Sequence, residues 1–309
     1  MTEFFVEEKD SGQRIDQFLA SRLEEVSRSQ IQKMIRDHMI TVSNKPVKAN
    51  YRLLLHDRIQ VEFPEPEVLN VLPEDIPLDI LYEDKDLLIV NKPKQMVVHP
   101  APGHPSGTLV NAVLYHCGKD LSGINGVLRP GIVHRIDMDT TGSLIICKSD
   151  LAHQKIAEQL KEHSINRIYE AIVHGNLKAD TGTINAPIGR DPNSVVGRCV
   201  RPDGARAVTH YEVLGRSNGL SLLRLRPETG RTHQLRVHMA SIGCPLAGDW
   251  LYGEEDPDLI PRPALHAYAL DLDHPVTGEH LSLTAPIPAD MARLAPELLT
   301  ETECASEEI

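Results

Sequence analysis

The chain has 309 residues, 41% of them hydrophobic and 25% charged, enough to bury a core without a metal or disulfide and too apolar for a disordered polymer. Its 32 Lys and Arg stand against 44 Asp and Glu, a net charge of -12, which as a total argues against a nucleic-acid partner. Residues 1–8 lack the basic and apolar segments of a secretory leader, no stretch approaches the roughly 18 apolar residues of a membrane span, and the five scattered cysteines hold no C-x-x-C pair, so a reduced, cytoplasmic, membrane-free protein is expected.

Taken in chain order, residues 14–26 place Ile15, Phe18, Leu19, Leu23 and Val26 at helical spacing. Ser27 and Gln30 offer a capping box for a second helix carrying Ile31, Met34 and Ile35. Two strands follow, Ile40 to Val42 and the strictly alternating Arg58 to Phe63, with Ser43 to Pro46 as the intervening turn. Seven basic residues and two acids lie between Arg28 and Arg58, the footprint of an RNA-binding face. The runs Arg14 to Leu19, Ser27 to Ile35 and Ile40 to Val47 resemble the S4 RNA-binding module, a small α/β domain. That resemblance implies RNA contact through the second helix and the following turn, with Arg28, Lys33, Arg36 and Lys45 as candidates. In this chain Asn44-Lys45 stands at the turn where Asn-Gly is familiar.

Residues 62–86 carry nine acids against Lys85, and their prolines at 64, 66, 73 and 77 suit an extended, self-repelling connection. The reading is therefore an S4 domain at 1–61, a linker at 62–80, a catalytic domain at 81–296 and an acidic tail at 297–309 expected to be disordered. Within the large domain, Asp86 to Pro93, ending at a proline turn, Ser143 to Lys148, Arg167 to Val173, Val208 to Leu214 and Leu220 to Leu225 read as strands. Asp150 to Lys161, capped by Ser149, and Thr232 to Ile242, ended by Gly243, read as helices. Few strands are separated by helix-length crossovers, so the expected class is α+β on a mixed, largely antiparallel sheet.

Two polar clusters carry the chemistry. Gly131 to Ser143 packs His134, Arg135, Asp137, Asp139, Thr140 and Thr141 ahead of an apolar strand. A kinase H-R-D loop fails here, because Ile136 is inserted and neither a D-F-G nor a glycine-rich loop exists. In Glu228 to His238, His233 and His238 point about 140° apart on a helix and no third ligand is near, so no metal is expected. Arg236, by contrast, shares a helical face with Thr232 and His233, a placement suited to gripping a carboxylate or phosphate.

His134-Arg135-Ile136-Asp137-Met138-Asp139-Thr140-Thr141-Gly142, Arg167 to Gly175 and Thr229 to His238 together resemble the three ordered motifs of the RluA family of RNA pseudouridine synthases. Asn91-Lys92-Pro93 ahead and Gly248 to Gly253 behind extend the match over nearly the whole chain, and the S4 module resembles the branch that modifies large-subunit ribosomal RNA. Met138, where relatives often carry Lys, and Ser143, where an aliphatic residue is usual, are departures. The resemblance implies that Asp137 is the catalytic carboxylate, Tyr169 the residue packed against the target nucleotide and Arg236 the partner of Asp137. It implies further RNA contacts at Arg135, Arg190, Arg231 and His233. Arg135 fits either a wedge filling the vacated base stack or a phosphate contact, and the basic 189–206 stretch either an RNA clamp or a solvated loop.

The implied function is cofactor-free isomerisation of specific uridines in structured RNA, 23S-type ribosomal RNA or a pre-ribosomal particle, by a monomer. The base would be flipped out of its stack, and the carboxylate could act at C1′, at C6 or through a glycal. A non-catalytic ribosome-assembly factor and a nucleoside hydrolase are the alternatives. Charge no longer opposes an RNA partner: residues 1–61 sum to +1 and 87–249 to +6, whereas 62–86 hold -8 and 250–309 hold -11.

Overall fold

The computed structural model describes residues 2–23, 28–62, 71–101, 103–118, 120–124 and 129–294, apart from the side chains at 28–30 and 33. The capping residue Ser27, the side chains of Arg28 and Lys33, residues 63–70 of the 62–80 linker and the acidic tail lie outside the described residues. The chain divides into two compact units, Met1–Leu69 and Asn70–Ile309.

In the first unit the strand β1 (Thr2–Phe5) precedes helices α1 (Ile15–Arg22) and α2 (Arg28–Arg36), followed by β2 (Ile40–Val42), β3 (Lys45–Pro46) and β4 (Arg58–Val61). The apolar stripes anticipated on the helices, Ile15, Phe18 and Leu19 and then Ile31, Met34 and Ile35, pack with Ile40, Val42, Ile59 and Val61 in one core. Buried Asp16 ties the helices together, accepting bonds from Arg14 and from Gln32 Nε2 at 2.8 Å. The sheet is antiparallel in the order β1-β4-β2-β3. One sequence expectation needs correction, and one strand is new. The turn is only Ser43-Asn44, both left-handed at φ 49° and 61°, so Lys45 and Pro46 pair back onto Val42 and Thr41 as a strand. The strand β1, too short to show alternation, was not anticipated.

The second unit contains β5 (Ile80–Glu83), β6 (Leu87–Lys92), α3 (Leu109–Cys117), β7 (Thr141–Cys147), α4 (Asp150–Glu162), β8 (Asn166–His174) and β9 (Thr181–Asn185). After these come β10 (Ile188–Arg190), β11 (Arg198–Val200), β12 (Val208–Ser217), β13 (Leu220–Pro227), α5 (Gln234–Ser241), β14 (Leu265–Asp273), β15 (His280–Thr284) and α6 (Ala289–Ala292). The main sheet runs β5-β6-β7-β14-β8-β13-β12-β9, with β15 paired to β14. Only β7 and β14 are parallel among its described pairs, so the mixed, largely antiparallel α+β class holds.

The long apolar runs that read as strands are buried on both faces. In β7, Leu144 and Ile146 enter one core and Ile145 and Cys147 another. In β8, Tyr169, Ala171 and Val173 join the first of these, while Ile172 faces a third cluster. The basic 189–206 stretch is not a plain loop, because β10 and β11 form an antiparallel hairpin within it. Ser149 caps α4, its side chain accepting the Ala152 N–H.

Candidate active site

Asp137 stands at the first position of a tight turn, its carbonyl accepting the Thr140 N–H, just ahead of β7. The strand can begin there because Gly142 (φ 109°) lies against β14: a Cβ at this position would collide with the Ala267 carbonyl. Two buried cations hold the turn from below. Lys92 Nζ donates to the carbonyls of Pro93, Met96 and Met138 at 2.8, 2.8 and 2.9 Å, three acceptors for the three N–H bonds of an ammonium. Burial nevertheless pushes its pKa down to about 7. Arg262 reaches the Asp139 carbonyl at 3.1 Å and pairs with Asp290 through two bonds of 2.9 and 2.8 Å. The Asp137 backbone is thereby fixed while its side chain stays partly open to solvent.

Arg236 comes from the other side, on α5. Its Nε and Nη2 both donate to Asp249 at 2.8 Å, and Asp249, fully buried, also accepts the N–H groups of Leu251 and Tyr252. The free end of the fork, Nη1, lies 3.5 Å from Asp137 Oδ2. Arg236 is therefore the cation facing Asp137, as the sequence suggested, but its bidentate partner is Asp249, which sequence reasoning did not assign. The available signal was the Gly248 to Gly253 run; for Lys92 it was Asn91-Lys92-Pro93, and for Arg262 there was none beyond an arginine between two prolines.

The helix starts later than anticipated. His233 is the residue before α5, in left-handed conformation at φ 57°, so Thr232, His233 and Arg236 do not share a helical face. The reversal instead turns the His233 ring toward Tyr252, with Nδ1 2.7 Å from its hydroxyl. That hydroxyl also accepts the Arg198 N–H at 2.9 Å. With the hydroxyl proton given to Nδ1, Nε2 carries the ring proton and faces Asp137 Oδ1 at 4.0 Å. Burial lowers the His233 pKa, opposed by Asp137 and helped by Arg236 and Arg198.

Tyr169, on β8, is buried, and burial raises the pKa of its phenol. Its ring, Asp137, Arg236, Arg167, Arg135, Arg231 and His233 line one cavity of about 70 Å³. The structure thus brings Asp137, Tyr169 and Arg236 together with three of the residues expected on RNA. Arg135 is exposed, and its Nη2 donates to Thr232 Oγ1 at 3.0 Å, joining the two motif loops. Arg231 donates to the Arg206 carbonyl with its guanidinium at the surface. Arg190 lies apart from this cavity, exposed on β10, and Arg36 and Lys45 are exposed in the first unit.

His134, next to Asp137 in sequence, plays a different part: its Nε2 accepts the Ile145 N–H at 3.0 Å, and burial drops its pKa to about 3. His238 is buried between Thr209 and the Ala186 carbonyl. Asp84, Asp86 and His274 gather their donor atoms closely enough for a cation. However, His274 Nδ1 accepts two backbone N–H groups, so Nε2 carries the proton and, 2.9 Å from Asp84 without a hydrogen bond to it, is not available as a ligand atom.

The profile of the family described as RNA pseudouridylate synthase matches residues 86–241, and that of the S4 domain matches residues 13–59. A Bacillus subtilis (strain 168) protein named uncharacterized RNA pseudouridine synthase YlyB is 52% identical over 291 residues, covering 94% of this chain and 96% of that protein. Ribosomal large subunit pseudouridine synthase D of Escherichia coli (strain K12) is 40% identical over 98% of this chain and 96% of its own. Among solved structures, human RNA Pseudouridylate Synthase Domain Containing 1 superposes with a TM-score of 0.56 at 27% identity, over 75% of this chain and 89% of that one.

Proposed function

The chain belongs to the RNA pseudouridylate synthase family and is an RNA pseudouridine synthase with an S4 RNA-binding domain, and on that premise we propose that it converts specific uridines of large-subunit ribosomal RNA, using Asp137 as the catalytic carboxylate. The RNA class follows the relatives named ribosomal large subunit pseudouridine synthase D. The observation that carries the catalytic assignment is the state of Asp137: its backbone is clamped, Arg236 faces it at 3.5 Å, and no hydrogen bond occupies its carboxylate among the described residues. A carboxylate with available lone pairs, charge-stabilised and oriented into a pocket, is what each chemical route requires, whether it attacks C1′, attacks C6 or removes a sugar proton.

In every route the bond from C1′ to N1 breaks, the uracil turns, C5 joins C1′ and the C5 proton leaves to solvent. The detached ring must not escape. Tyr169 supplies a flat wall for it, and because burial keeps the phenol protonated the hydroxyl serves as a donor rather than a resting base. Arg167 and Arg236 line the same pocket and balance negative charge on the departing base. Reaching C1′ requires the uridine to leave its stack, and exposed Arg135, which lines the pocket, would fill the gap or hold a phosphate. The reaction exchanges no electrons or groups with a donor, so it proceeds without a cofactor. Because Asp137, Tyr169 and Arg236 all come from one unit of one chain, a monomer suffices, acting in the cytoplasm where ribosomal RNA is made.

The test is tritium release from unmodified large-subunit ribosomal RNA labelled at C5 of uridine. The wild-type chain should release tritium, and Asp137→Asn should lose at least a thousandfold in rate while binding RNA within about threefold. Full activity of Asp137→Asn would remove that residue from its role.

A further inference from the structure

Beside the Tyr169 pocket lies a second cavity of about 250 Å³, floored by Asp137 to Thr140, His233 and Arg236 and walled by Val196, Trp250, Leu251 and Pro263. Asp137, Thr140, His233 and Arg236 border both spaces. Trp250 is the only tryptophan of the chain and keeps 53% of its surface exposed, as does Val196 on the same cavity lining. Neither side chain is left there by slack backbone. The Asp249 carboxylate that anchors Arg236 accepts the Leu251 and Tyr252 N–H groups, and its carbonyl accepts that of Gly253, so the turn presenting Trp250 is built from the arginine's own support. Val196 sits at the tip of the β10–β11 hairpin, joined to the same turn by the Arg198 N–H on the Tyr252 hydroxyl. Arg198 Nη1 donates to the Val196 and Gly197 carbonyls at 3.3 and 3.0 Å.

From this arrangement we propose that Trp250 and Val196 form a stacking slot for the nucleobase adjacent to the target uridine, making Trp250 a specificity residue for an unpaired flanking nucleotide. The inference rests on the RNA reading of the preceding subsection. With the uridine against Tyr169 and its sugar over Asp137, a neighbouring nucleotide on one side would reach the second cavity, which Asp137 also borders. An exposed indole on a rigid turn offers a π-face to any base at little entropic cost, and Arg190 and Arg198 outnumber Asp191 on the hairpin, favouring a phosphate nearby. His233, shared by the two spaces, would sense both nucleotides.

Because no other tryptophan interferes, the full-length Asp137→Asn chain reports directly on the slot. Its emission should be quenched saturably by total RNA from cells lacking the protein, in step with filter binding of the same RNA. Unchanged emission at saturation overturns the proposal, whether or not the large-subunit assignment survives. In the tritium assay, Trp250→Ala should raise KM about tenfold, the loss expected for one stacked base, with kcat within about threefold. Trp250→Phe, which keeps an aromatic face, should restore KM. An unaltered KM in Trp250→Ala, with wild-type turnover intact, refutes the stacking role alone. Absence of wild-type turnover on ribosomal RNA refutes the substrate reading and leaves the emission arm to decide the slot.

Discussion

Arg236 is held by one carboxylate and offered to another. Two bonds of 2.8 Å to Asp249 consume Nε and Nη2, and only Nη1 remains toward Asp137. The planar guanidinium makes this division possible, because fixing one edge fixes the direction of the other; a lysine could not transmit orientation in this way. Asp249→Asn keeps the shape and removes the charge and the bidentate fork. The expected outcome is a fall in kcat of about a hundredfold, the scale of an ångström of misplacement. Melting should show a stability loss of roughly 3 kcal/mol from the unpaired buried arginine. If single-turnover rates are unchanged, Asp249 supports the fold without positioning Arg236. Lys92 and Arg262 act at the same scale on the opposite side: Lys92 joins the Met96 N–H on the Met138 carbonyl, and Arg262 satisfies the Asp139 carbonyl.

At the scale of elements, the catalytic turn is strung between β7 and the segment before it, and His134 is one of its pins. The folded imidazole titrates near 3 against an ordinary 6.5, because a cation there would be desolvated and would forfeit the bond accepted from Ile145. The unfolded chain therefore takes up this proton at higher pH than the folded one. The contribution of His134 is complete above about pH 6.5 and is lost as pH falls, amounting to roughly 3 kcal/mol by pH 4. Melting temperatures measured from pH 7 to 4 should drop more steeply for the wild type than for His134→Gln; equal slopes would contradict the assignment. The helix α5 shows why element boundaries escaped the sequence. Periodicity extends through Thr232, but the left-handed turn at His233 is a tertiary choice, set by the ring's bond to Tyr252. The hairpin of β10 and β11 escaped because its strands are three residues each, below the length at which alternation can be read.

Across the whole molecule, the net charge of -12 conceals a surplus of base in residues 1–61 and 87–249. Arg36 and Lys45 are exposed in the first unit, and as RNA contacts they would each displace about one condensed counterion. In the full-length chain, Arg36→Ala combined with Lys45→Ala should weaken RNA binding at 0.1 M salt and flatten the plot of log affinity against log salt by about one to two units. A slope equal to that of the wild type would take both residues out of the interface. No helix among the described residues is long and apolar enough to cross a membrane.

Composition and periodicity in the sequence were sufficient for the α+β class and most of the long strands, while Asp137, Tyr169 and Arg236 were named by the resemblance of three motifs to the RNA pseudouridine synthases. The class and the strands depend on local pattern, on apolar runs buried on both faces of a sheet, and local pattern is legible in one dimension; the three site residues are legible only as members of ordered motifs. Tertiary structure alone decided that Asp249 secures Arg236, that Lys92 and Arg262 clamp the turn beneath Asp137, and that Trp250 and Val196 line one cavity. Those partners lie 13 to 123 residues apart in the chain, and a buried charge is satisfied by whichever group folding brings within reach, a distance that no spacing in the sequence encodes.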